Sequence, residues 1–278
     1  MASTHRQRRK LVRRLEKEAP SMFSPALRHR QKVLARQSGQ PIDGKAKQAP
    51  AAPKADTDAG REYAALRVAL HEDLLKLHDI ASVEARNPKK VEMAKTYTDW
   101  VEGVLKAGEE GQAAQDEIVS TMMVWAIDTR EFDYALRIAA HVLKFGLALP
   151  ERYKREPACF LAEVVAETSL KMADSASHEV LLRVLALVDG FDMPDPAKAK
   201  LHKALGRSFA RKAEAFDPAA ESAPAGGKAA YTQQALEHFL RAFELDATCG
   251  VKTDIKTLER QLKALSDQAS CNEPDGSQ

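Results

Sequence analysis

No apolar run in this chain approaches the roughly 18 to 20 residues needed to cross a bilayer, and the basic N-terminus is not followed by an apolar secretory core. A cytoplasmic protein is therefore expected. Cysteine is scarce. Cys159, Cys249 and Cys271 are far apart and odd in number, which excludes a disulfide framework and a zinc knuckle. Cys159 and Cys249 read as small buried apolar residues and Cys271 as an incidental thiol in a tail. No segment sustains period-two alternation between turns, so a sheet is excluded and the expected fold is all-α.

Catalytic signatures are also missing. In "ESAPAGGKAAYT", Ser222 stands where a P-loop would need glycine, Ala229 replaces the magnesium-binding hydroxyl, and no strand precedes Gly227-Lys228, so the stretch reads as a loop. Pro194-Asp195 with Asp254-Ile255-Lys256 imitates the acidic-plus-lysine pattern of restriction-type nucleases, but such a site needs a sheet to hold its carboxylates together. None of the eight histidines has a metal-binding spacing. His71 and His78 share a helix face and read as a solvated or partly packed pair. No metal site or cofactor is expected in this chain. Asp116, Asp128 and Asp133 are the weak catalytic candidates, because two-metal phosphodiester cleavage uses clustered acids. A structural account competes: Asp128 and Glu131 have capping-box spacing, and Glu109, Glu110, Asp116 and Glu117 lie near a helix start. Trp100, Trp125, Met122 and Met123 fall at apolar helical positions and read as core.

What the chain does have is polarised charge. Between Met1 and Arg36 stand Arg6, Arg8, Arg9, Lys10, Arg13, Arg14, Lys17, Arg28, Arg30, Lys32 and Arg36 against Glu16 and Glu18, a net of +9 in a chain whose total is +2. The remainder is thus −7. Within "SPALRHRQKVLARQ" (24–37), Ser24 suits an N-cap and Pro25 the first helical position. Arg28, Lys32 and Arg36 make one stripe of that helix, and Leu27 and Leu34 another. Upstream, "THRQRRKLVRRLEKE" reads as a second basic helix with Leu11, Val12 and Leu15 apolar. A cationic helix with a narrow apolar seam can follow phosphates while its seam rests on protein. A membrane-surface helix would want bulkier apolar residues, while an RNA-binding arm and a solubilising tail remain open. Nucleic acid leads, with Arg6, Arg8, Arg9, Lys10, Arg13, Arg14, Arg28, Arg30, Lys32 and Arg36 as the expected contacts.

The organisation follows. Residues 1–37 form a basic helical arm, and 38–60, "SGQPIDGKAKQAPAAPKADTDAG", a Pro/Ala/Gly linker spanning roughly 25 Å as a flexible coil. A helical core with an expected oligomerisation role occupies 61–190, a repeat-like region 191–267 and a disordered tail 268–278. Apolar spacing predicts helices near 61–83, 88–107, 112–127, 131–145, 157–173, 178–189, 197–214, 229–245 and 251–266. Asn87-Pro88 and Asp195-Pro196 read as starts, Gly108, Gly146 and Gly190 as stops. Two hairpins carry Ala-Leu near the start of their second helix (Ala135-Leu136, Ala235-Leu236) and resemble tetratricopeptide units.

"SPALRHRQKVLA", the block from Trp100 to Arg155, "FDMPDPAKAKLHKALG" and "QALEHFLRAFELDATCGVKTDIKTLERQLK" together resemble the small terminase subunit of temperate contractile-tailed phages, a family often labelled the terminase endonuclease subunit. The resemblance runs from Ser24 to Lys263 without the linker. It implies binding to the packaging site of phage double-stranded DNA, partnership with a large ATP-hydrolysing subunit that carries ATP and Mg²⁺, cohesive-end cutting, loading of procapsids and a homo-oligomeric ring in the host cytoplasm. Relatives can carry basic C-terminal tails, whereas "SDQASCNEPDGSQ" is slightly acidic, so the extreme C-terminus is not expected on DNA. Two alternatives stay open: a metal-dependent nuclease using Asp116, Asp128 or Asp133, and a helical-repeat adaptor that binds only proteins.

Overall fold

The computed structural model describes residues 51–53, 55–173, 175–217 and 227–271, and these are helical with no strand among them. The expected DNA contacts at positions 6 to 36 lie outside the described residues. Helix α1, Asp58–His78, is capped by Thr57, whose hydroxyl accepts the Gly60 N–H at 3.0 Å. It begins inside the stretch read as linker. Tyr63, Leu70 and Leu77, seven apart, bury one face. It ends at His78, short of 83.

Helix α2, Val83–Ala94, starts on Ser82, not on Asn87, and takes Pro88 into its interior. The expected helix 88–107 is thereby split. A 3₁₀ turn, Lys95–Tyr97, joins α2 to α3, Thr98–Glu109. The break has a packing reason: Tyr97 is fully buried, meets Trp125 edge-on and donates its O–H to Asp73 at 2.8 Å. Gly108 is therefore a helical residue and not a stop, and Glu109 and Glu110 stand at the end of α3 instead of at a start.

Helix α4, Glu117–Asp128, is buried from Ile118 to Ile127 on every face. Its start is five residues later than expected, because Asp116 is its N-cap. Helix α5, Phe132–Phe145, follows and ends on Gly146 in the left-handed conformation (φ 65°), as its glycine foretold. The two run antiparallel, since Ser120 at the start of α4 donates to the Ala148 carbonyl beyond the end of α5. Then come α6 (Pro157–Lys171), α7 (His178–Val188), α8 (Asp195–Glu214), α9 (Gly227–Leu245) and α10 (Lys252–Cys271). Gly227-Lys228, read as loop, opens α9. Cys159 is buried but Cys249 only half so.

Helix α4 packs against α1, α2, α3 and α5; α5 passes the core on to α6 and α7; α8 leans on α6 and α7 and shares its longest interface with α9, which holds α10. One apolar cluster runs through them all from Tyr63 to Leu258. Lys200 on α8 bonds both Glu163 (2.7 Å) and Glu167 on α6, so the 190/191 division falls between helices that share salt bridges as well as core. Ala135 and Ala235, the small residues of the two hairpins, are both fully buried. No helix among the described residues is long and apolar enough to cross a membrane.

The α8–α9 crossing is close because Gly206 has no side chain: a Cβ there would lie 2.6 Å from the Phe239 ring. Gly103, on the exposed side of α3, has nothing within 4 Å. Gly206→Ala is therefore expected to cost about 1–3 kcal/mol by overpacking, whereas Gly103→Ala gains up to about 1 kcal/mol of helix propensity. Urea unfolding of the two variants tests the opposite signs.

Candidate functional site

Each of the three aspartates offered as catalytic has a partner in the structure, Asp116 in the interior, Asp128 half-buried and Asp133 at the surface. Asp116 is 1% exposed; its Oδ1 accepts the Val119 N–H at 2.9 Å and its Oδ2 the Trp100 indole N–H at 2.8 Å. Burial pushes this carboxyl above its usual range, against the pull of those two hydrogen bonds toward the charged form. Asp128 accepts from Lys90 Nζ at 2.6 Å, and its carbonyl accepts from Asn87 Nδ2 at 3.0 Å. The expected Asp128–Glu131 capping box is not made, because Glu131 is the N-cap of α5 with no side-chain hydrogen bond. Asp133, on the first turn of α5, pairs with Arg183 of α7.

Distance separates two of them. Asp116 and Asp128 stand at opposite ends of α4, about 18 Å apart at 1.5 Å per residue. Two-metal cleavage needs ions about 3.5–4 Å apart, bridged by carboxylates on both. Among the described residues no three His, Cys, Asp or Glu side chains come together as a metal-binding set. Asp195 opens α8 and Asp254 lies in the first turn of α10, each a helix-start acid of the kind the macrodipole favours.

What the region around Asp116 builds is a junction. Tyr63 of α1 stacks on Trp100 of α3 with centroids 5.6 Å apart, and its hydroxyl accepts the Glu117 N–H at 3.0 Å. Arg67 donates to Glu117 at 3.1 Å, and Arg152, from the segment after α5, donates to Thr121 at 3.0 Å. One capping carboxylate thus ties α3 to α4, and Tyr63 adds α1. Trp100, read as core, is its half-buried partner, while Trp125, Met122 and Met123 are core proper.

Sequence spacing missed a second assembly. His202 of α8 and His238 of α9, 36 positions apart, meet Nδ1 to Nδ1 at 3.0 Å. Phe209 stacks on His238 and takes His178 edge-on, and His178 Nδ1 sits 3.0 Å from the Ser208 hydroxyl. A nitrogen-to-nitrogen hydrogen bond requires one Nδ1 to donate and the other to accept, so the two rings cannot both be cations there. Burial, then the positive charge of Arg241, holds His202 down to about 4, and burial with its histidine neighbours holds His238 lower still. Only the tertiary packing of α8 on α9 creates this. His71 and His78, by contrast, are exposed on α1.

Residues 67–196 match the family model of the phage small terminase subunit. Over 245 residues, 87% of this chain and 87% of the relative, the sequence is 36% identical to the "Terminase, endonuclease subunit" of Escherichia phage P2. No solved structure matches the chain.

Two outcomes are expected. Asp116→Ala removes a cap and strands the Trp100 N–H, a loss of about 2–4 kcal/mol in denaturant unfolding. Because His202 and His238 are depressed below their unfolded value near 6.5, their neutral forms stabilise the fold fully above that pH. Stability should decline as pH falls from about 6.5 toward 4, and thermal melts of His202→Gln should show a flatter decline.

Proposed function

Since this chain belongs to the phage small terminase subunit family, we propose that it binds the packaging, cohesive-end site of phage double-stranded DNA and presents it to a large ATP-hydrolysing subunit in the host cytoplasm. Its role is that of a small terminase in cutting the genome and packaging it into procapsids. The contacts are Arg6, Arg8, Arg9, Lys10, Arg13, Arg14, Arg28, Arg30, Lys32 and Arg36, the segment that holds a net +9 ahead of an acidic remainder. Several copies in a homo-oligomeric ring raise the effective concentration of these basic segments, so that individually weak, salt-sensitive contacts become tight together. Bending of the DNA contributes to site choice alongside base contacts.

The observation that carries the division of labour is the scattering of Asp116, Asp128 and Asp133 among a buried cap and two separate ion pairs. ATP, Mg²⁺ and bond cleavage belong to the large partner in this reading. A second reading has one observation in its favour: the phage P2 relative is named an endonuclease subunit. In that case this chain would cleave DNA itself.

Incubating the chain alone with cohesive-site DNA and Mg²⁺ or Mn²⁺ separates the two. We expect binding without nicking; specific nicking abolished by Asp128→Asn and Asp133→Asn would establish the nuclease instead. Arg28→Gln/Lys32→Gln/Arg36→Gln in the full chain should weaken DNA binding and lower the salt slope by about 2.7, at roughly 0.9 per phosphate contact. Unchanged binding would favour the protein-only adaptor.

A further inference from the structure

Part of the cation set of the helical body is paired with carboxylates. Arg67 pairs with Glu117, Lys90 with Asp128, Arg137 with Glu102, Arg155 and Lys200 with Glu163, Arg183 with Asp133 and Arg241 with Glu244. Lys95, Lys106, Lys154 and Arg207 are exposed without such a pair but stand on separate elements, whereas helix α10 gathers four in one row. Lys252, Lys256, Arg260 and Lys263 are all exposed, and among the described residues no carboxylate lies within ion-pair distance of any of them. Their spacing of four, four and three places them within an arc of about 80° on the helix, along about 17 Å of its length.

The rest of α10 explains why that stripe faces outward. Val251, Ile255 and Leu258 are buried and Leu262 packs against the same core, so the apolar side is committed to α9. The charged stripe lies on the far side. Lys252 sits over the Phe243 ring at 5.3 Å, and Arg260 Nε donates to the Lys256 carbonyl at 3.2 Å, which steadies the row without neutralising it. Glu259 borders the stripe and Asp267 follows it, but neither joins it in a salt bridge. Four exposed cations against Asp254, Glu259 and Asp267 leave α10 a net +1, with the positive charge gathered on one stripe, in a chain whose remainder beyond the basic segment is acidic.

We infer that α10 carries a second, sequence-independent contact for the phosphates of duplex DNA, made by Lys252, Lys256, Arg260 and Lys263. This rests on the DNA-binding function proposed above and deepens it: the basic N-terminal segment is one grip and the helical body supplies another. A contact about 17 Å long runs beside about five phosphates of one strand at 3.4 Å per residue of strand. Exposed lysine and arginine without carboxylate partners give up no salt bridge on meeting them. DNA held at two places on each copy is fixed in direction as well as in position.

The test is a salt titration of the full chain on a duplex of random sequence, comparing wild type with Lys252→Gln/Lys256→Gln/Arg260→Gln/Lys263→Gln. The log–log slope should fall by about 3.6, and the milder Lys256→Gln/Lys263→Gln pair by about 1.8. Replacing the three lysines by arginine should keep the wild-type slope. Unchanged circular dichroism confirms folding, and should the fourfold variant unfold, the pair variant decides. A slope unmoved by either neutralisation, while the Arg28/Lys32/Arg36 variant lowers it, overturns the α10 contact and leaves the proposed function standing. Absence of salt-dependent binding in the wild-type chain overturns both.

Discussion

Helix α4 is the constraint around which the described structure is arranged. "EIVSTMMVWAID" has no solvent face: Ile118, Val119, Met122, Met123, Val124, Trp125 and Ile127 point in all directions and all are buried. Each such side chain contributes about 1.5–3 kcal/mol when fully enclosed, and none can be enclosed by α4 itself. Helices α1, α2, α3 and α5 must therefore surround it. Ser120 and Thr121, the polar residues in this run, are buried as well, and their hydroxyls are satisfied by the Ala148 carbonyl and by Arg152. The segment after α5 is drawn back across the start of α4 for this reason.

Enclosing α4 also sets the use of charge. Its two ends emerge into the polar junctions of Asp116 and Asp128, where carboxylates cap, bind an indole and hold a lysine. Each of these carboxylates has a structural partner within the fold. The helical body places these carboxylates in its own joints. Charge in this protein is unevenly distributed: positive at the N-terminal segment, gathered in one exposed stripe on α10 and partly paired elsewhere on the helices.

Much of the fold was readable. Gly146 as a left-handed stop, the 3.6-residue periodicity of α5 to α9 and the small residues Ala135 and Ala235 were local signals with local causes. The misplaced elements share another cause. Pro88 looked like a start but sits inside α2, and the helix expected through 97 breaks there because Tyr97 must reach both Trp125 and Asp73. Asp128 and Glu131 had the right spacing to cap, yet Lys90, 38 residues away, offered Asp128 a charged partner. Local propensity lost in each case to a contact that spacing cannot reveal.

The candidate site divides in the same way. Composition and spacing alone determined the helical class, the strong charge at the start of the chain and the missing catalytic motifs, because these depend on residue type and near neighbours. Only the tertiary structure decided that Asp116 and Asp128 lie at opposite ends of one helix, that His202 meets His238, and that Lys252, Lys256, Arg260 and Lys263 go without carboxylate partners. Those outcomes depend on which faces the buried apolar residues turn inward, and that choice is made by the whole core at once.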